Sequence, residues 1–102
     1  MYTLNDSKTG KELKTIQSNE TLESKLAPYN IAPKTFFTLT TEKGHTLNAW
    51  SIKPKDFDAS KKYPVLMYQY SGPGSQQVAN QWNSSNDYWY YMLAQKGYIV
   101  IC

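Results

Sequence analysis

The sequence predicts an α/β chain, the larger part of it an antiparallel hairpin feeding a strand–helix–strand unit of a mixed sheet. Three observations lead there. Two β-rich runs, Thr35–Thr41 and His45–Ile52, are separated by Glu42-Lys43-Gly44, with glycine where a hairpin needs a left-handed residue. A continuous apolar run, Val65–Tyr70, lacks period-2 alternation, so it reads as a strand buried on both faces. A helical stretch then leads to a second apolar run, Tyr98–Cys102, and that spacing predicts a right-handed crossover between parallel strands.

The elements follow in order. Tyr2–Leu4 and Glu12–Gln17 flank the turn-like Ser7-Lys8-Thr9-Gly10 and predict a short β-hairpin. Asn19 is placed to cap a short helix with Glu20 and Glu23 in its first turn, where the helix dipole favours carboxylates. Leu22 and Leu26 share a face, and Pro28 restricts Ala27 and ends the helix. Residues 30–33 read as a linker, which divides the chain into 1–33 and 34–102. In the second part Lys53-Pro54 closes the hairpin, and the polar residues 55–62 form a loop. Residues 75–82 are irregular. Ser84-x-x-Asp87 resembles a capping box, Trp89, Met92 and Leu93 predict an apolar stripe, and Lys96-Gly97 supplies the stop.

Composition excludes several functions. The 102 residues carry a net charge of +3, and the nearest basic cluster (Lys53, Lys55, Lys61, Lys62) is interrupted by Asp56 and Asp58. That is the pattern of a solvated loop, so no nucleic-acid partner is expected. There is no apolar run long enough to span a bilayer and no leader-like start. One histidine, His45, and one cysteine, Cys102, leave no metal-ligand spacing, so neither metal nor cofactor is expected. Cys102 has no internal partner for a disulfide. Sequons begin at Asn5, Asn19 and Asn83, of which helix capping explains the second and third better than glycosylation.

The run Tyr63-Pro64-Val65-Leu66-Met67-Tyr68-Gln69-Tyr70-Ser71-Gly72-Pro73-Gly74-Ser75-Gln76-Gln77-Val78, followed by Trp82, carries a resemblance. It is similar to the opening of the catalytic domain in dipeptidyl peptidase IV-type serine peptidases of the prolyl oligopeptidase family. The order before it fits as well: a hairpin ending Gly10-Lys11-Glu12-Leu13, a helix, then Phe36–Thr41, Gly44 and Leu47–Pro54. The resemblance implies that residues 1–33 are the last hairpin of a β-propeller with its linking helix. It implies that residues 34–102 begin an α/β-hydrolase sheet. It implies a parent that releases N-terminal dipeptides, typically after proline, with a peptide as substrate and a periplasmic, extracellular or membrane-anchored location.

One functional residue carries over. In that family the tyrosine two residues before the Gly-Pro turn helps form the oxyanion hole, and here that position is Tyr70. The chemistry agrees, because α/β-hydrolases draw an oxyanion donor from the loop after the third strand. The rest of the machinery does not carry over. No G-x-S-x-G elbow is present, and Ser75 with His45 lacks an orienting carboxylate in any recognisable spacing. The resemblance places nucleophile, acid and base beyond Cys102 and the substrate-binding propeller carboxylates before Met1, so the chain by itself is expected to be inert. Two other readings use different features. Tyr88–Tyr91 (Y-W-Y-Y) suggests a stand-alone glycan- or peptide-binding module, although consecutive helical residues point around the axis and half should serve the core. The last strand, with an unpaired apolar edge, suggests self-association.

Overall fold

The computed structural model describes residues 1–70, 72–82 and 85–102, which divide into two compact units, Met1–Asn30 and Ile31–Cys102. In the first, strand β1 (Tyr2–Asn5) pairs antiparallel with β2 (Glu12–Gln17). Asp6 organises the turn: its carboxylate accepts from the Thr9 hydroxyl at 2.8 Å, the Thr9 N–H at 2.7 Å and the Lys8 N–H at 3.0 Å. Those three bonds favour the charged form and hold the Asp6 carboxyl below its ordinary value, with the Thr9 hydroxyl the largest cause. Gly10, at φ +70, closes the turn with an N–H bond to the Asp6 carbonyl.

Helix α1 (Glu20–Leu26) departs from expectation at both ends. Asn19 makes no side-chain cap; it sits left-handed at φ 61, away from the extended backbone from which a capping side chain reaches forward. Its carbonyl accepts the first helical bonds, from Leu22 and Glu23. At the other end the α-helix stops at Leu26, ahead of Pro28 as expected, but Pro28 does not keep Ala27 from helical backbone. Ala27 stays right-handed, and Ala27–Tyr29 continues as a 3₁₀ turn until Asn30 exits at φ 51. Proline is compatible there because the first turn of a helix has no use for its missing N–H.

The second unit holds a four-stranded sheet. Strands β3 (Thr35–Thr40) and β4 (Thr46–Ile52) pair antiparallel in unbroken register, Thr35 opposite Ser51 and Thr40 opposite Thr46. Gly44, at φ +81, takes the left-handed position the sequence reserves for it. Strand β5 (Val65–Met67), helix α2 (Ser85–Gln95) and β6 (Ile99–Ile101) complete the unit, in the sheet order β3-β4-β6-β5. β6 is antiparallel to β4 and parallel to β5, as a strand–helix–strand crossover requires.

The core forms between α2 and one face of the sheet, although consecutive residues Ala49–Ile52 of β4 are all buried. Trp50, Ile52 and Val100 point to one face, where Tyr91 and Ala94 of α2 meet them, with Leu66, Tyr68, Tyr90 and Leu93 packed at the border. Full burial of Ile52 or Val100 stabilises by roughly 1.5–3 kcal/mol each. A buried ion pair ties the sheet's entry to the helix: Lys34 Nζ lies 2.8 Å from Asp87 Oδ1 and 5.1 Å from the centre of the Trp50 ring.

Three expectations are corrected here. β5 is shorter than Val65–Tyr70 and lies at a sheet edge, with Val65 59% and Met67 69% exposed rather than buried on both faces. β6 is flanked by β4 and β5, so the free edges belong to β3 and β5 and not to the last strand. The buried face of α2 is Asp87, Tyr91 and Ala94, while Trp89 is 56% exposed. Asp87 faces inward, where it meets Lys34, and Trp89, two residues on, lies on the far side of the helix. Of Y-W-Y-Y, Tyr91 is buried and Tyr90 half-buried, while Tyr88 and Trp89 are exposed, the even division expected of a helix. The expected cap at Ser84 and the sequon at Asn83 lie outside the described residues.

Candidate functional site

The loop that follows β5 is held by the polar ends of two core aromatics. β-type pairing continues past the strands: Tyr68 N–H donates to the Ile101 carbonyl at 2.8 Å, and Trp50 and Cys102 exchange N–H···O bonds of 2.8 and 2.9 Å. Both aromatic rings rest on Tyr90, with centroids 5.5 Å (Trp50) and 5.8 Å (Tyr68) away. Tyr and Trp in a core need partners for their O–H and N–H groups. Both find the same residue. The Trp50 indole Nε1 donates to the Gln77 carbonyl at 3.1 Å, and the Tyr68 hydroxyl donates to Gln77 Oε1 at 3.0 Å.

From Gln77 the bonds run back to the strand end. Gln77 Nε2 donates to Ser75 Oγ at 3.2 Å, and Ser75 Oγ donates to the Tyr70 carbonyl at 3.1 Å. The turn itself is closed by Ser75 N–H to the Gly72 carbonyl at 3.0 Å, with Gly74 at φ +81. Ser71 lies outside the described residues. Tyr70 projects outward, 68% exposed, on the wall of a groove of about 520 Å³ that also takes in Leu39, Leu47, Met67, Ser75 and Gln77. An outward phenol at a fixed backbone position can donate to an oxygen of a bound molecule.

The remaining candidates separate. The Ser75 hydroxyl is engaged with Tyr70 and Gln77. His45 lies in the β3–β4 turn, exposed, with its backbone N–H on Thr41 Oγ1 and its carbonyl on the Thr41 N–H. Among the described residues no hydrogen bond joins Ser75 to His45, and no group of three or more His, Cys, Asp or Glu could hold a metal ion. Among the same residues no helix is long and apolar enough to cross a membrane. Burial raises the Tyr90 hydroxyl above its ordinary value, helped by Tyr68, Cys102 and Asp87, and raises Tyr91 likewise, helped by Asp87 and Tyr88. Burial also raises the Cys102 thiol, and the nearby Lys34 charge pulls the other way.

Sequence reasoning missed Gln77, the Trp50 indole bond and the Lys34–Asp87 pair. A signal existed for the first two: a tryptophan and a tyrosine in buried-type strands oblige the fold to provide polar partners.

No protein-family model matches the chain. Individual proteins do. Dipeptidyl peptidase 4 of Trichophyton rubrum is 45% identical over 84 residues, which are 82% of this chain and 11% of the relative. Dipeptidyl peptidase 4 of Arthroderma otae is 40% identical over the same 84 residues' length, again 82% of this chain and 11% of the relative. The crystal structure of Porphyromonas gingivalis dipeptidyl peptidase 4 superposes with a TM-score of 0.79 at 46% identity, covering 98% of this chain and 14% of that one. The chain thus spans about a tenth of the length of the curated relatives it matches.

Proposed function

We propose that this chain, related over most of its length to the dipeptidyl peptidases, is the oxyanion-side segment of a serine-type dipeptidyl peptidase. The observation that carries the reading is identity of 46% together with backbone agreement at a TM-score of 0.79 over 98% of the chain. Residues 34–102 then open an α/β-hydrolase sheet: hairpin β3–β4, third strand β5, helix α2 and the parallel β6. Residues 1–33 are the last hairpin of a propeller with its linking helix.

In this reading Tyr70, in the loop between third strand and first helix, donates its phenol O–H to the oxygen of the scissile carbonyl. As that oxygen gains negative charge in the tetrahedral intermediate, the bond strengthens, which stabilises the transition state more than the ground state. A peptide releasing an N-terminal dipeptide, typically after proline, is the substrate. Ser75 and His45 serve neither as nucleophile nor as base, and the nucleophile, acid and base come from sequence beyond Cys102. The competing reading, an aromatic binding module, draws on exposed Trp82 and Tyr88, whose rings meet edge to face at 5.6 Å.

The chain alone should not hydrolyse a Gly-Pro chromogenic dipeptide. Turnover above that of a Tyr70→Phe control would sink the division of labour proposed here. In the coding sequence, a G-x-S-x-G elbow on the 3′ side of codon 102, followed by Asp and His, is expected; a stop codon there would favour the binding module.

A further inference from the structure

We infer that Gln77 and Ser75 are positioning residues for Tyr70: a directed relay of hydrogen bonds, Tyr68 O–H to Gln77, Gln77 to Ser75, Ser75 to the Tyr70 carbonyl, fixes the backbone from which the Tyr70 phenol projects. The inference rests on the oxyanion reading of Tyr70 and extends it to residues that touch no substrate.

Tyr70 is 68% exposed, so packing does little to hold its ring, and the phenol's direction depends on where its backbone is held. Tyr70 lies three residues past the end of β5, and two past the Tyr68 N–H bond to the Ile101 carbonyl. There the relay adds a restraint on the Tyr70 carbonyl itself. Ser75 Oγ reaches back five residues to the Tyr70 carbonyl at 3.1 Å. Its proton goes to that carbonyl because its other partner, Gln77 Nε2 at 3.2 Å, is a donor and cannot accept it. The Gln77 amide is oriented in turn by the Tyr68 hydroxyl on Oε1, and its main chain by the Trp50 indole on the carbonyl. A primary amide accepts at its oxygen and donates at its nitrogen, so it links the Tyr68 donor to the Ser75 acceptor. A carboxylate at 77 would accept from both Tyr68 and Ser75 and would pull the serine proton away from Tyr70.

The position of an oxyanion donor matters steeply, since a displacement of about 1 Å can cost up to about 10²-fold in rate. The test is a double-mutant cycle in the peptidase polypeptide that carries these residues, read as kcat and KM on a Gly-Pro chromogenic dipeptide. Ser75→Ala, Gln77→Ala and Gln77→Glu should each lower kcat about tenfold while KM moves less than about twofold. Ser75→Thr, which keeps the hydroxyl, should restore the rate. In a Tyr70→Phe background the same three changes should move kcat by less than about twofold, because the group they position is gone.

Equal losses in both backgrounds would show that the relay merely supports the fold and would overturn the inference while leaving Tyr70's role intact. Undiminished kcat in Tyr70→Phe would instead remove the oxyanion reading, and this inference with it. Should Gln77→Ala fail to fold, the near-isosteric Gln77→Glu and Ser75→Ala decide the matter.

Discussion

The two hairpins of this chain make opposite uses of a similar pattern. In β1–β2 every residue is exposed or half-exposed, and the unit around it, Met1–Asn30, holds no buried residue among the described ones. In β3–β4 the second strand runs from exposed Thr46 into a buried stretch, Ala49–Ile52, of which Trp50 and Ile52 pack with α2. A two-stranded hairpin is marginal in water unless something covers a face. The difference teaches that strand patterning predicts pairing, whereas burial depends on which hairpin has a helix returning over it. The second unit has one because the β5–α2–β6 crossover lays Tyr91 and Ala94 across Trp50, Ile52 and Val100.

Substitutions should divide along that line. The largest effect belongs to the buried ion pair. Lys34→Met removes the cation 2.8 Å from an Asp87 side chain that is only 1% exposed, and should cost about 3–5 kcal/mol. Adding Asp87→Leu should recover most of it, as urea unfolding followed by tryptophan fluorescence would report. Next comes Ile52→Ala, which opens a cavity at a fully buried site and should cost about 2–5 kcal/mol. The matched change in the first unit, Ile16→Ala at an exposed position, should stay within about 0.5 kcal/mol. A loss of similar size at both sites would erase the distinction between the units.

Titration sharpens the same contrast at the smallest scale. The hydroxyls of Tyr90 and Tyr91 are raised from 10.0 by burial, so the folded unit binds their protons more tightly than the unfolded chain does. Their contribution is intact below the ordinary tyrosine value and is lost as pH rises through the folded one. Unfolding of the second unit should therefore become easier above about pH 10. Asp6 runs the other way: its lowered carboxyl favours the first hairpin above the ordinary carboxylate range, and that help fades on acidification. Amide hydrogen exchange across both pH ranges would separate the two units.

Much of this architecture is legible in the sequence, because pairing and turns are written locally. Gly44 at its left-handed position, the β3–β4 register and the strand–helix–strand order all come from short-range signals. The errors arise where tertiary contacts override them. Trp89 looks like core by spacing, but the face that turns inward carries Asp87, paired with a lysine 53 positions upstream, and Trp89 is left outside. β5 looks doubly buried by composition, but only Leu66 faces the core under α2, and Val65 and Met67 point to the opposite, exposed face. Of the site, Tyr70 stands out through its Gly-Pro turn, whereas the Gln77 relay is invisible in one dimension. Its partners Trp50 and Tyr68 meet Gln77 only after β4, β5 and β6 have assembled.

The claim that this segment supplies an oxyanion donor is tested most directly by kcat of Tyr70→Phe in the peptidase polypeptide that carries it. The change removes one oxygen, leaves the exposed ring in place and takes nothing from the core. A fall in kcat of about 10²–10³-fold with KM nearly unchanged is the predicted result, the signature of a bond made only in the transition state. A phenylalanine variant as fast as the parent would contradict it.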